Sequence, residues 1–205
     1  MSGESKMHYY VNWAKERLDE MDAALASLEA KVPQVKADSK MKAEQAIADL
    51  KRRRDEFVSL AKKEAEAGEA TWQRVQPELQ SQWNSFEGQL KTYLETAGKQ
   101  LEQQRATFLD IAAAQAKAWR EAADTFHHEA GKIAAAKRAD LDAAINQMKT
   151  DAAQAEARFN KLKQVGSETW AALGAALAES RKAFDRANQK AADALKGAGG
   201  AGKAA

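Results

Sequence analysis

Few side chains of this protein could bind a metal or act as a nucleophile, because the chain has three histidines and no cysteine. Two of the histidines are adjacent, His127 and His128, and Glu129 follows them. Histidines that share a metal from one helix stand three or four residues apart. Adjacent helical side chains instead point about 100° apart. We therefore predict a solvent-exposed pair and assign no metal ligand.

Groups for acid–base or cofactor chemistry are no easier to find. Carboxylates are abundant, but the sequence indicates no pair of them in an apolar setting that would raise a pKa for acid–base work. Before the Gly/Ala tail at 197–205 the glycines are isolated, so the helical part of the sequence offers no glycine-rich loop that cradles phosphate. The sequence therefore predicts no catalytic residue, no cofactor and a protein that is not an enzyme.

A basic run, Lys51-Arg52-Arg53-Arg54, is a distinct local cluster of positive charge, and Lys62 and Lys63 follow it. One interpretation is a contact with an anionic surface, either phospholipid or nucleic acid. The other is a solvated helix face, since consecutive residues spread around a helix and Asp49, Asp55 and Glu56 cancel part of the charge. We favour the solvated face.

Aromatic side chains offer a possible ligand or lipid contact, because the chain has five tryptophans. Most of them stand at the heptad spacing of a helix–helix seam, which favours core packing over ligand binding. They are Trp13, Trp72, Trp83, Trp119 and Trp170.

The elements that carry these residues are predicted to be helices almost throughout. Apolar residues recur at alternating steps of four and three, which is the spacing of a coiled-coil seam. The chain is also rich in alanine, the best helix former, and no stretch alternates with the period of a strand. The first stripe is Met7, Val11, Ala14, Leu18, Met21, Leu25, Leu28, Val32 and Val35. A later stripe runs Trp72, Leu79, Phe86 and Tyr93.

The helical pattern occurs twice, with an offset of 98 residues that places Trp72 on Trp170 and Phe86 on Phe184. The clearest match sets Gly68-Glu-Ala-Thr-Trp72 against Gly166-Ser-Glu-Thr-Trp170. Repeats of this kind are structural units that pack on their neighbours. We predict an all-α, elongated, antiparallel helical bundle or coiled coil made of two tandem repeats. Repeat 1 covers residues 5–97, repeat 2 covers 98–196, and 197–205 form a disordered Gly/Ala tail.

Breaks in the pattern leave two layouts open. Pro33 stands opposite Gly131 under the offset, and Gly68 and Gly166 look like turns, whereas helical spacing continues through Gly98. In one layout each repeat is a three-helix bundle, and the third helix of repeat 1 runs into the first helix of repeat 2. In the other, Pro33 only kinks the chain, and three helices at about 5–67, 69–130 and 132–196 each reach roughly 95 Å.

The order of these motifs also resembles a known group of proteins. Tyr10-Val-Asn-Trp-Ala-Lys-Glu-Arg-Leu18 is followed by Ala48-Asp-Leu50-Lys-Arg-Arg-Arg-Asp55, the turn Ala67-Gly68-Glu-Ala-Thr-Trp72 and Phe86. That order is similar to small bacterial coiled-coil proteins described as stress-response or apolipoprotein-like, over residues 8–95 and more loosely 106–195. Pro33, the doubling, and Gln115 interrupting the apolar stripe depart from their pattern. The resemblance implies no catalytic residue and adds stress response to the expected roles.

Composition bounds the partners and the compartment. A formal net charge of +2 with 30% charged residues argues against a dedicated nucleic-acid binder. No apolar stretch reads as a signal peptide or as a membrane span, so we expect a cytoplasmic protein without a transmembrane segment. Expected partners are a second copy or another helical protein, with at most a weak contact to a lipid surface.

Two functions follow as hypotheses. The preferred one is a non-enzymatic helical scaffold or stress-associated interaction protein that self-associates through its heptad seams. The alternative is an amphipathic coat protein on lipid or storage granules, like apolipoproteins and phasins. A helix that lies on lipid has a wide apolar face edged by Lys and Arg. The seams here are mostly narrow and broken by alanine, so the sequence favours the scaffold.

Overall fold

The computed structural model describes residues 2–35, 37–67, 69–96, 101–165 and 170–200, and this part of the chain is all-helical, with no strand. Two short 3-10 turns, at Val32–Gln34 and Ala135–Lys137, accompany six long helices. The long helices are α1 Ser2–Lys31, α2 Ala37–Ala67, α3 Glu69–Thr96, α4 Leu101–Gly131, α5 Ala139–Val165 and α6 Trp170–Gly200. The prediction of an all-α helical bundle is confirmed.

The layout with three very long helices is wrong. Helix α1 ends at Lys31, directly before the turn that contains Pro33, and α4 ends at Gly131. Proline has no backbone N–H to donate and crowds the preceding turn, so the helix stops there rather than bending. Pro77, in contrast, lies inside α3, where the buried side chains of Trp72 and Leu79 hold the helix to the core on either side.

Contacts between side chains show how the helices run. Arg54 of α2 pairs with Asp22 of α1, and Gln76 of α3 donates to the hydroxyl of Tyr9 of α1. Helix α2 is therefore antiparallel to α1, and α3 runs parallel to α1. Ser27 of α1 meets Thr107 of α4, near the opposite end of α1 from the contact between Lys15 and Glu121, so α4 is antiparallel to α1.

The second half of the chain continues the alternation. Arg120 of α4 pairs with Glu156 of α5, and Arg158 of α5 pairs with Glu179 of α6. With the contact of Phe108 on Phe159, these pairs make each helix antiparallel to the next. Helices α1, α3 and α5 therefore point one way and α2, α4 and α6 point the other.

Helix α1 lies at the centre of the bundle, since it packs against α2, α3, α4 and α6, and most extensively against α4. The central position explains why α1 is buried on more than one side. Of its predicted stripe, Met21, Leu25 and Leu28 are buried, whereas Val11 is 42% exposed. The stripes of the later helices are buried as predicted: in α3, Trp72, Leu79, Phe86 and Tyr93 are all in the core.

The apolar core forms two clusters. The larger cluster joins α1, α2 and α3 to the first half of α4 and of α6 and to the second half of α5, and it contains Trp13, Phe57, Trp72 and Phe108. The smaller joins the second half of α4 to α5 and the second half of α6, around Trp119, Phe126, Ile145 and Phe184. On α4 and α6 the residues between the two clusters are polar and buried, namely Gln115, Ser180 and Arg181.

The predicted turns at Gly68 and Gly166 and the predicted helical continuation through Gly98 fall outside the described residues. Helices α3 and α4, on either side of Gly98, run antiparallel, so the expectation that one helix joins the two repeats is wrong. Near them, the buried Gln104 side chain links two helix ends, since its amide donates to the carbonyl of Leu94 at 2.9 Å and its oxygen accepts from the backbone N–H of Trp170 at 3.0 Å. Helix α6 extends to Gly200, four residues into the segment 197–205 that was predicted to be a disordered tail. Residues 201–205 are not among those described.

Candidate functional site

The most unusual feature inside the bundle is a layer of buried charged and polar side chains, which we call the ionic layer. It lies where α1, α3, α4 and α6 meet. Burying unpaired charges is costly, so such groups must satisfy one another. Its buried members are Glu16, Arg17 and Glu20 of α1, Gln115 of α4 and Arg181 of α6. Two partly exposed carboxylates, Glu87 of α3 and Asp185 of α6, complete the layer at its edge.

Arg181 and Glu20 form its centre. The Arg181 Nη2 and Nε atoms donate to the two Glu20 carboxylate oxygens at 2.7 and 3.0 Å, which is the bidentate geometry of strong ion pairs. The third guanidinium nitrogen, Nη1, donates to Glu87 at 3.0 Å. Gln115 donates to Glu20 at 2.8 Å and to the carbonyl of Leu177 at 3.1 Å. One carboxylate therefore ties α1 to α4 and α6, while its arginine reaches α3.

A second bidentate pair joins α1 to α6. The Arg17 guanidinium donates to both oxygens of Asp185, each at 2.7 Å. Both arginines also lie over tryptophan rings, Arg17 at 4.4 Å from the centroid of Trp13 and Arg181 at 4.5 Å from that of Trp83. Guanidinium groups stack well on aromatic faces, so each arginine combines a bidentate ion pair with a ring contact. The Nε atom of Arg17 is buried without a hydrogen-bond partner among the described residues.

Glu16 and Glu20 stand one turn apart on α1, and both are almost fully buried. Burial, and next the Glu20 carboxylate, raise the pKa of Glu16 well above its usual value. For Glu20 burial alone would raise the pKa, but the charge of Arg181 outweighs burial and lowers it. The two shifts favour a protonated Glu16 beside an ionised Glu20. The Oε2 atom of Glu16 accepts from Arg17 at 3.0 Å.

This pair corrects one expectation from the sequence. No two carboxylates were expected in a setting that raises a pKa, yet Glu16 and Glu20 lie in such a setting. The sequence pattern missed them because the predicted stripe of α1 left them on a face that was read as solvated. That face is covered by α6, and burial follows from the packing of distant helices.

A groove of about 400 Å³ between α3 and α6 opens beside the ionic layer. Trp83 and Trp170 contribute to its walls, and Glu20 and Arg181 reach its lining, whereas Glu16 does not. Glu16, whose pKa is raised, is thus away from the groove. With both arginines held in bidentate pairs, the arrangement is suited to fixing the register of four helices.

The tryptophans lie where core packing was expected. All five are buried, with exposed fractions between 1% and 6%. Trp72 stacks on Tyr10, with ring centroids 5.5 Å apart, and Trp119 meets Phe184 edge-on at 5.2 Å.

The histidines behave as the spacing indicates. His127 and His128 are exposed. His8, from the start of α1, lies beside the same end of α4, with its ring 6.3 Å from that of Phe126. In the part of the chain that the structure describes, no three His, Asp or Glu side chains form a group that could hold a metal.

The basic run divides into paired and unpaired residues. Lys51 pairs with Glu29, Arg52 with Asp49 at 3.4 Å, and Arg54 with Asp22 at 2.7 Å. Arg53 has no ion pair or hydrogen bond to any described residue, and its Nε atom is buried. The four cations therefore do not form one basic surface. For Lys51, Arg52 and Arg54 this agrees with the preferred interpretation of a solvated helix face.

One sequence signal did point to the ionic layer. Gln115 interrupts the apolar stripe of α4, and the structure places it in the centre of the layer. Helix α1 carries a second set of residues at helical spacing, Tyr10, Trp13, Arg17, Glu20, Ala24 and Ser27, all of them buried. A stripe that mixes aromatic residues with charges was a signal for a buried ionic cluster.

Comparisons with known proteins add no family: no family model, no curated protein and no solved structure matches this chain. None of the helices described is long and apolar enough to cross a membrane.

Proposed function

We propose that the protein is a non-enzymatic helical scaffold, an interaction protein that offers a rigid helical body to its partners. The ionic layer carries this proposal. Buried polar groups are best attested as devices that fix helix register, and here two bidentate pairs join α1 to α6. A role in stress response, which the resemblance implies, remains a prediction, as does location in the cytoplasm.

The scaffold is proposed to consist of two tandem repeats, 5–97 and 98–196. Burial supports this proposal, since residues paired by the 98-residue offset share the same environment. Trp72 and Trp170 are both buried, and so are Phe86 and Phe184. The heptad run of α3 is buried along its length, which supports coiled-coil packing of that helix.

Self-association through the heptad seams remains a prediction, and the structure narrows how it would occur. The seam residues are already buried within one chain, and of the large apolar side chains whose exposure is described only Val11 and Met41 are exposed. Two copies that associate through seams must therefore exchange helices, so that helices of one chain cover the seams of the other. Association without exchange would use the charged outer faces instead.

The alternative function is an amphipathic coat on lipid or granule surfaces. The helices would then have to open and lie with their apolar faces in the lipid. Opening would separate Glu20 from Arg181 and Arg17 from Asp185, and the burial of the aromatic core in lipid would only replace burial that the bundle already achieves. The scaffold is therefore the better-supported function.

Vesicle co-sedimentation tests the two functions against each other. With anionic vesicles at physiological salt, we expect the protein to stay in the supernatant with unchanged tryptophan emission, because all five tryptophans are already buried. Strong pelleting together with a blue shift would contradict the scaffold and favour the coat.

A further inference from the structure

A second groove lies along α3, next to the groove beside the ionic layer, and Gly88 contributes to the lining of both. It is a groove of about 680 Å³ between the first half of α2 and the second half of α3, which we call the α2–α3 groove. Its volume is in the range of sites that hold small molecules. Its lining combines apolar surface with polar side chains, among them Lys42, Arg53, Gln89 and Tyr93.

Three polar atoms on the walls of the α2–α3 groove have no hydrogen-bond partner. They are the Tyr93 hydroxyl, the Gln89 Oε1 atom and the Arg53 Nε atom, all of them shut off from bulk solvent. Tyr93 is only 3% exposed. A buried donor or acceptor without a partner destabilises the fold, and native proteins contain few of them. A ligand bound in the groove could supply the missing partners of all three.

The charges of the groove indicate the sign of that partner. Arg53 and Lys42 have no acidic partner among the described residues, whereas Asp49, the one described carboxylate of the lining, accepts from Arg52 and Gln45, each at 3.4 Å. The lining therefore carries two cations without an ion pair to any described residue and one carboxylate that already accepts two hydrogen bonds. Arg53 is also the one member of the basic run without an ion pair, and it is the member that enters the lining.

We propose that the α2–α3 groove binds a small, hydroxyl-bearing phosphate ester. The phosphate would be held by Arg53 and Lys42, since guanidinium and ammonium groups form strong, charge-assisted hydrogen bonds to phosphate oxygens. The hydroxyl groups of the ligand would satisfy Tyr93 and Gln89. A soluble metabolite fits better than a lipid headgroup, because Tyr93 is buried between two helices and a headgroup held in a bilayer would have to leave it to reach that hydroxyl.

Isothermal titration calorimetry on the full chain tests the proposal with glucose 6-phosphate, inorganic phosphate and glucose as probes. We expect glucose 6-phosphate to bind with a Kd on the order of 1 mM or tighter, inorganic phosphate to bind more weakly, and glucose to give no signal. Arg53→Gln should weaken glucose 6-phosphate binding by about tenfold or more, the loss typical of one charge-assisted bond.

Lys51→Gln is the matched control, because it removes one positive charge from the same run. In the native chain Lys51 pairs with Glu29 of α1 and does not line the groove. The Lys51→Gln change should leave the Kd within about twofold, a change too small for a lost hydrogen bond. Tyr93→Phe should weaken binding while leaving the thermal midpoint of the free protein unchanged or higher, since it deletes a buried hydroxyl without a partner. If the Tyr93 hydroxyl had only a structural role, Tyr93→Phe would lower the thermal midpoint and leave binding unchanged.

Three results would overturn the proposal. They are no heat from either phosphate compound at about 10 mM, equal losses in Arg53→Gln and Lys51→Gln, and binding to vesicles containing phosphatidic acid without binding to glucose 6-phosphate. If Arg53→Gln proves unfolded by circular dichroism, Lys42→Gln, which changes an exposed residue without an ion pair, carries the same expectation and the same controls.

Discussion

At the scale of the residue, Glu16 makes the stability of this protein depend on pH. Burial and the Glu20 carboxylate raise its pKa above the ordinary 4.5, so the folded chain holds a proton that the unfolded chain releases. The stability that Glu16 contributes is complete below the unfolded pKa and declines as the pH rises through the folded pKa. Glu20 acts in the opposite sense: its pKa is lowered, so its contribution is lost on acidification.

Replacing Glu16 by glutamine should separate these two effects. The amide keeps an oxygen for Arg17 and supplies an N–H for Glu20, and it does not titrate. We expect Glu16→Gln to match the wild type near pH 4.5 and to exceed it at pH 8 by at least ~2–4 °C in Tm, the shift that one kcal/mol produces in a chain of this size. Thermal melts across the pH range measure this, and equal midpoints at pH 8 would contradict a protonated Glu16.

At the scale of the element, the Arg181–Glu20 pair locks α6 to α1. Removing only Arg181 leaves a buried carboxylate without its cation, and we expect Arg181→Met to cost about 3–5 kcal/mol in urea unfolding. Changing Glu20 to leucine in the same chain should recover a large part of that loss, because well-packed apolar residues often replace a buried pair without cost. A double variant as unstable as the single one would show that the pair does more than satisfy its own charges.

The first turns of α3 and α6 are anchored by Trp72 and Trp170. Both are buried, so each alanine variant should lose about 3–5 kcal/mol in thermal or urea unfolding. Met41→Ala on α2 is the control, since Met41 is 77% exposed, and it should be nearly neutral. Neutral effects at both tryptophans would mean that neither helix end is anchored in the core.

At the scale of the whole molecule, α1 belongs to both halves of the chain. It packs against α2 and α3 in its own half and against α4 and α6 in the other, so neither half has a complete core alone. We expect urea unfolding to give coincident transitions by circular dichroism and by tryptophan fluorescence, as in a single cooperative unit. Two separated transitions would show that the proposed repeats fold independently.

The helical class of this protein and most of its core could be derived from the sequence, because side chains three and four residues apart share a face whatever covers that face. The stripe through Trp72, Leu79 and Phe86 therefore needed no knowledge of its neighbours. The missing N–H of Pro33 marked an interruption of the first helix, but the sequence left open whether the chain would kink or break there. The tertiary structure decided which helices are buried on more than one face by their neighbours. It placed Val11 at the surface, brought Glu16 and Glu20 under α6, and left Arg53, in the α2–α3 groove, without an ion pair to any described residue. These outcomes depend on residues more than thirty positions away, and periodicity along one helix cannot specify them.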